Sequence, residues 1–213
     1  MVLQKKVGPA MELREAIRQI SDIRQQMASS EVFRGYRSLT VGFSGLLGIV
    51  GACIQPHLIS TPVEHLAEFA VFWIGVAALS LAVAGIEMYW RAFHAGPGMA
   101  RDLTILAAKQ FLPCVVVGAF MTLCIVQSAP QVGWMLPGLW ALIYAQGVFA
   151  SYRLLPNEAV WVGVYFTACG CFCLLQGQGD FALSPWLMGG SFGGGQLLAA
   201  GILYWTLERH DAS

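Results

Sequence analysis

The sequence predicts an all-α membrane protein, in which a cytoplasmic amphipathic helix precedes six transmembrane helices. Hydrophobic residues make up 57% of the chain and charged residues only 11%, whereas soluble domains carry about 25% charged residues. Six long apolar runs follow one another after residue 38, each near the ~20 residues that the hydrocarbon core of a bilayer requires. The chain therefore has too little polar surface for a water-soluble fold, and its Lys and Arg residues lie at alternate ends of the apolar runs.

The N-terminal region, residues 1–37, is charged and is predicted to remain in the cytoplasm. Residues 10–29 within it are predicted to form an amphipathic helix, because apolar residues recur at spacings of three and four. These residues are Leu13, Ala16, Ile20, Ile23 and Met27. Such a helix would pack on its own membrane domain or lie on the membrane surface. A second interpretation is a short coiled coil that dimerises the protein.

The membrane domain is predicted to occupy residues 38–207, and a short cytoplasmic tail residues 208–213. Its six spans are predicted at about residues 39–54, 66–90, 103–126, 133–152, 158–175 and 186–207. Before the second span, Thr61 and Glu64 form a capping box with Pro62 at the first helical position. Asn157 can cap the fifth span, and Ser184 the sixth.

The distribution of basic residues predicts the orientation of the chain. Seven of the 12 Lys and Arg residues precede the first span, and three more lie at or beside the second connection. Arg153 lies in the fourth connection and Arg209 in the tail, whereas the first, third and fifth connections contain no basic residue. Because basic residues concentrate on the cytoplasmic side, both termini are predicted to be cytoplasmic. The predicted location is the plasma membrane, which in a bacterium is the inner membrane.

Two spans carry small residues at four-residue spacing. Ser44, Gly48 and Ala52 form such a face on the first span, and Ser191, Gly195 and Ala199 form another on the sixth. Small-residue faces let two helices approach closely in lipid. Together with the N-terminal helix, these faces favour a non-enzymatic membrane subunit that associates with itself or with a membrane partner.

The glycine-rich start of the sixth span, Gly189-Gly-Ser-Phe-Gly-Gly-Gly195, permits a second interpretation. A locally unwound helix at this point would line a binding cavity, as in transporters, whereas tight packing would need no cavity. The residues predicted to surround such a cavity are Gln196, Gln146, Tyr144, Tyr165, Gly194 and Gly195. The corresponding function would be transport of a small solute or an ion.

Glu87 is an acidic residue inside the second span, about one turn from its predicted cytoplasmic end. Intramembrane acids are candidates for functional groups. Arg91 follows four residues later, in the order that favours an ion pair on a helix, and Arg153 is a further candidate partner. We interpret this set as a structural ion pair rather than as a proton or substrate site.

The predicted outer side carries residues that could bind a metal ion. His65 and Glu68 share a helix face, His57 precedes them, and Cys169 and Cys173 lie one turn apart in the fifth span. Imidazole and carboxylate suit a divalent ion and thiolates suit a soft one. The simpler interpretation is that the histidines and Glu68 are solvated and that the cysteines are small buried residues. An outward-facing metal-binding or redox protein is therefore a third hypothesis.

Several classes of function are not indicated. The net charge is zero, which gives no sign of nucleic-acid binding. The sequence contains no phosphate-binding loop, no metalloprotease helix motif and no nucleophile elbow, so we predict a protein that is not an enzyme and that needs no cofactor. The predicted partners are the lipid bilayer and a second membrane-embedded chain, either another copy or a different protein.

Overall fold

The computed structural model describes residues 38–94, 99–151, 157–176 and 181–208. Most of these residues are helical, and no strand occurs among them. The predicted amphipathic helix over residues 10–29 and the tail after residue 208 lie outside these ranges. The prediction of an all-α protein is therefore confirmed for the part of the chain that the structure describes.

The helices have the following bounds. Helix α1 covers Ser38–Leu58, α2 covers Leu66–His94 and α3 covers Met99–Ser128. A 3₁₀ helix, Pro130–Met135, leads into α4, Leu136–Ala150, and a 3₁₀ turn, Asn157–Ala159, leads into α5, Val160–Leu175. The C-terminal helical segment, residues 185–208, consists of α6 (Pro185–Met188), a π-helix (Gly189–Gly194), α7 (Gly195–Leu203) and a second π-helix (Tyr204–Glu208).

Five helices of the described chain are long and apolar enough to cross a membrane: Ser38–Leu58, Leu66–Trp90, Lys109–Ser128, Pro130–Ala150 and Asn157–Leu175. Helices suit this environment because all their backbone hydrogen bonds close within the segment. Large apolar side chains such as Val71 and Phe120 are exposed on their outer surfaces, as expected where lipid is the solvent.

Consecutive helices pack against each other, and the C-terminal helical segment returns to pack against the first helix. The C-terminal helical segment contacts α1 on one side and α5 on the other. Helices α4 and α5 also share an extensive contact, where Gly138 and Gly170 bring the two backbones together. A Cβ atom on either glycine would lie 2.9 Å from the carbonyl oxygen of the other, so this crossing depends on both residues lacking a side chain.

The buried side chains form two clusters. The first lies beside the α1–α2 connection and includes Phe69, Trp73 and Leu136. The second lies among α4, α5 and α7 and includes Ala145 and Phe166. Phe192 of the first π-helix packs against both clusters, so the glycine-rich segment joins the two halves of the core.

Helix α1 continues beyond residue 54, where the sequence predicts the first span to end, and reaches Leu58. A first span that ends at residue 54 would leave Gln55 in the connection before α2. In the structure Gln55 is only 1% exposed, and its side chain is hydrogen-bonded inside the bundle. Burial with satisfied polar groups allows the amide to remain part of the helix.

Candidate functional site

Helix α1 packs through small residues against small residues of the C-terminal helical segment. A Cβ atom on Gly48 would lie 3.0 Å from the backbone nitrogen of Gly193, and one on Gly45 would lie 3.0 Å from the Gly193 carbonyl oxygen. Towards one end of this contact, a Cβ atom on Gly189 would meet that of Ala52 at 2.7 Å. Gly48 and Ala52 of the predicted α1 face are therefore covered within the same chain.

The contacting residues differ in part from those that the spacing predicts. Gly48 and Ala52 do face the C-terminal helical segment, whereas Ser44 donates its hydroxyl to the Thr40 carbonyl on its own helix. On the other helix, Gly195 faces the ring of Phe166 instead of α1. Helix geometry explains the difference, because residues two positions apart, such as Gly193 and Gly195, do not share a helix face.

The glycine-rich segment remains helical and is not unwound. Its residues Gly189–Gly194 form a π-helix, and the hydroxyl of Tyr165 donates a hydrogen bond of 2.7 Å to the carbonyl of Gly190. A Cβ atom on Gly194 would lie 2.6 Å from the same hydroxyl oxygen. Gly194 therefore provides the space that lets Tyr165 reach the π-helix backbone.

Gln196 forms a polar pair with Tyr144 in an aromatic surrounding. Its Nε2 donates to the Tyr144 hydroxyl at 2.6 Å. The ring of Tyr144 has its centroid 4.4 Å from that of Phe166, 5.3 Å from that of Phe111 and 5.9 Å from that of Phe192. Aromatic pairs at these separations stabilise packing, so the amide is held at one edge of a filled aromatic cluster.

The structure brings together five of the six residues predicted for the cavity. Gln196 contacts Tyr144, Tyr165 contacts the π-helix beside Gly194, and Gly195 contacts Phe166. Gln146 lies apart from them and is exposed on the outer surface of α4. The reason is helical geometry, because residues two positions apart do not share a helix face.

Sequence reasoning did not identify a second polar site, which is centred on Gln55. The indole Nε1 of Trp73 donates to Gln55 Oε1 at 2.8 Å, and Gln55 Nε2 donates to the Leu183 carbonyl at 3.1 Å. This single amide thus joins α1, α2 and the connection before α6. The sequence gives only a weak signal for this site, because a glutamine at the end of an apolar run can equally be buried in a helix or solvated in a loop.

A third polar contact joins α3 and α4. Trp140 Nε1 donates to Thr122 Oγ1 at 2.8 Å, and the Thr122 hydroxyl donates to the Gly118 carbonyl at 2.7 Å. Thr122 is only 4% exposed. These contacts satisfy polar groups inside the bundle, which in lipid have no water to bond with.

The predicted ion pair falls largely outside the described part of the chain. Glu87 is partly buried on α2. The side chain of Arg91 and all of Arg153 lie outside the described ranges, so the pairing stays a prediction.

The predicted metal ligands lie in different environments. His57, His65 and Glu68 are exposed, and His65 Nδ1 lies 3.2 Å from the Thr61 hydroxyl. The thiol of Cys173 is buried and that of Cys169 is partly buried. Within the described ranges, no three His, Cys, Asp or Glu residues are grouped closely enough to hold a metal ion.

Two arrangements thus emerge as candidates for function: the polar pair beside the π-helix, and the helix surfaces that no part of the described chain covers. No protein-family model, curated protein or solved structure matches this chain.

Proposed function

We propose that the chain is a six-span subunit of the plasma membrane that acts without catalysis, by associating with a second copy of itself through α2. Support for a sixth span comes from residues 185–208, which are helical without interruption. A helix of this length extends over about 36 Å, more than the ~30 Å of a hydrocarbon core. An even number of spans agrees with the alternation of basic residues, which supports cytoplasmic termini.

The main observation behind this proposal is a face of small residues on α2 that the rest of the described chain leaves uncovered. Gly75, Ala78, Ala82 and Gly85 are exposed, and their spacings of three, four and three place them on one side of the helix. A Cβ atom on Gly75 or Gly85 would have no neighbouring atom within 4 Å. We call this surface the α2 face.

The α2 face contrasts with the other glycine contacts of the chain. Gly48 meets Gly193, and Gly138 meets Gly170, each between two helices of the same molecule. In the apolar window of α2, by contrast, only 17% of the residues are buried. Small residues gain close packing only when another helix lies against them, and that helix must come from outside the described chain.

A second copy fits this face because the pattern is symmetric. Two copies inserted in the same orientation would bring residues with equal numbers together across a two-fold axis, as in isologous dimers. Glycine would then meet glycine, and alanine would meet alanine. No charged residue lies between Glu68 and Glu87, so the pairing needs no buried ion.

We expect the full-length chain to form a defined oligomer in detergent and in vesicles, and Gly75→Ile with Gly85→Ile to convert it to monomer. The bulky side chains would hold the two α2 helices apart. Overpacking that costs ~1.4 kcal/mol or more should lower the affinity of the dimer about tenfold or more. Native mass spectrometry and disulfide formation by Ala82→Cys measure this change.

The matched control is Gly201→Ile, because a Cβ atom on Gly201 also meets nothing within 4 Å but lies on α7. This variant should keep the oligomer of the wild type. A monomeric wild type, or an oligomer that survives both isoleucines on α2, would contradict the proposal.

The π-helix favours one other candidate, a transporter for a small solute or an ion. Wide π turns occur frequently at functional sites, and this one carries both the Tyr165 contact and the adjacent Gln196–Tyr144 pair. Movement of the π-helix would have to break the Tyr165 hydrogen bond, so the Gln196–Tyr144 pair and this bond would together form the gate.

For this second candidate we expect Gln196→Leu to leave the chain folded and abolish uptake. Proteoliposomes would be tested against a panel of labelled monovalent ions and small neutral solutes. Gln146→Leu is the control, since Gln146 is exposed away from the aromatic cluster. Uptake that is the same in wild-type and Gln196→Leu vesicles would exclude transport at this site.

A further inference from the structure

The first π-helix contains one carbonyl group that the backbone of its own segment passes over. In a π-helix each N–H bonds to the carbonyl five residues back, so its last residue, Gly194, reaches back to Gly189. The next N–H, that of Gly195, donates to the Ser191 carbonyl, at the α-helical spacing of four. The Gly190 carbonyl lies between these two acceptors and is left without a backbone N–H from the described helical segment.

Tyr165 supplies the missing donor from a different helix. Its hydroxyl, which α5 carries, donates to the Gly190 carbonyl at 2.7 Å. Gly190 is exposed, and the hydrocarbon around a membrane helix has no group that can donate a hydrogen bond. The π-helix therefore depends on this hydroxyl to satisfy the polar group that its wide turn frees.

The Tyr165 hydroxyl has a second acceptor close by. The thiol of Cys169, one turn along α5, lies within hydrogen-bonding reach of the same hydroxyl. A hydroxyl has a single proton to donate, so it can serve either the Gly190 carbonyl or the sulfur at one time. The hydroxyl can thus release the π-helix and still keep a hydrogen bond.

An α-helical form of the segment would satisfy the freed carbonyl from within. The N–H of Gly194 would then bond to the Gly190 carbonyl, four residues back. Removing the wide turn moves every later residue by one helical position, about 100° around the axis and about 1.5 Å along it. Gly189, at the start of the π-helix, is packed closely against Ala52 of α1, so the turn falls on α7.

We infer that the first π-helix is a two-state element. It is π-helical while the Tyr165 hydroxyl holds the Gly190 carbonyl, and it becomes α-helical when that hydroxyl turns to Cys169. In the α-helical state α7 is turned by one residue, which carries Gln196 away from Tyr144. Tyr165 is thus the residue that positions α7. The inference does not depend on the α2 face, because every contact in it lies within one chain.

A disulfide between α1 and α7 reports which residue of α7 faces α1. A Cβ atom on Gly42 would lie 3.5 Å from that of Ala200, within the range that a disulfide spans. The test uses the full-length chain in vesicles with its native cysteines replaced, Cys169 by serine, whose hydroxyl also accepts a hydrogen bond. Gly42→Cys should crosslink to Ala200→Cys in the π-helical state and to Ala199→Cys in the α-helical state.

Tyr165→Phe removes the hydroxyl and keeps the ring. We expect the ratio of the crosslink at position 200 to that at position 199 to fall about fivefold. This factor corresponds to ~1 kcal/mol, the usual net contribution of one hydrogen bond. The control is Thr167→Val, because the Thr167 hydroxyl lies on the same helix and donates to the Gly163 carbonyl of α5 itself. This control should leave the ratio unchanged.

The Gly190 carbonyl can be observed directly, because the dipeptide Gly-Ser occurs once in the chain, at Gly190-Ser191. Isotope labels on the carbonyl carbon of glycine and on the nitrogen of serine select this one peptide group in NMR spectra. Its signal should move in Tyr165→Phe, since the donor changes from a hydroxyl to a backbone N–H.

Two results would overturn the inference. If the carbonyl signal moves while the crosslink stays at position 200, the hydroxyl only satisfies the carbonyl and the segment has one state. If the carbonyl signal does not move, the Tyr165 hydroxyl does not hold Gly190 and cannot select the state of the segment.

Discussion

The buried side-chain amide of Gln55 connects elements of the bundle whose apolar contacts alone would not fix their relative positions. Gln55 receives the Trp73 indole N–H and donates to the Leu183 carbonyl. It is almost completely buried, so neither partner group has water available when the amide is lost. In lipid, the hydrophobic effect does not favour apolar contacts between helices over contacts of a helix with lipid. Polar contacts such as those of Gln55 therefore contribute more to fixing how the helices pack.

Gln55→Leu is expected to lower the free energy of unfolding by about 1–3 kcal/mol, because it leaves a buried donor and a buried acceptor unsatisfied. Thermal or denaturant unfolding in detergent measures the change. Gln146→Leu serves as the control: Gln146 is exposed on a spanning helix, and its replacement should change stability by no more than about 0.5 kcal/mol. Equal effects of the two substitutions would show that the Gln55 contacts do not stabilise the fold.

At the scale of the helix, the contact between α1 and the C-terminal helical segment depends on backbone approach. Gly45 and Gly48 lie opposite Gly193, with distances of 3.0 Å between the Cβ positions and backbone atoms. A backbone atom cannot move aside as the end of a side chain can, so an added methyl group must push the helices apart.

Gly48→Val should therefore destabilise the bundle by about 1–3 kcal/mol, the usual effect of overpacking. Gly201→Val provides the comparison, since it adds the same side chain to a helix position that is open within 4 Å. The two purified variants are compared by their unfolding transitions in the same detergent. If Gly48→Val were as stable as Gly201→Val, the glycine contact would not determine how these helices pack.

The small-residue faces also show what helix periodicity can and cannot predict. Gly48 and Ala52 are correctly placed on the contact face of α1. On the C-terminal helical segment the contacts fall on Gly189 and Gly193, which are also four residues apart. Small residues occur on every side of this glycine-rich segment, so its sequence does not indicate which side meets α1.

At the scale of the whole molecule, the basic residues predict a definite topology. Six spans would place the head and the tail of the chain on the same side, and the basic residues predict that this side is the cytoplasm and that the connection between α1 and α2 lies outside. Ser60 belongs to this connection and is exposed, which makes it a suitable reporter for the outer side.

In a chain whose six cysteines are replaced, a membrane-impermeant maleimide added outside intact cells should label Ser60→Cys. It should label Ser213→Cys only after the membrane is permeabilised. The reason is the free-energy cost of moving basic segments across the bilayer. If Ser213→Cys reacted in intact cells, residues 185–208 would not form a sixth span between two cytoplasmic ends.

The sequence by itself determined that this chain is helical and apolar enough to cross a membrane several times. Lipid requires every backbone polar group to be satisfied inside a helix about 20 residues long, and that requirement is visible as uninterrupted apolar runs. The sequence also indicated Gln196, Tyr144, Tyr165 and the glycines of the π-helix as candidate site residues.

Only the tertiary structure decided which of these residues meet. It paired Gln196 with Tyr144 and left Gln146 on the outer surface. It also placed Gln55 in the interior and the α2 face on the exterior. In a water-soluble helix an apolar stripe marks the buried side. A membrane span that is apolar on all sides has no such stripe in its sequence. Packing between the helices therefore decides which of its side chains face the interior.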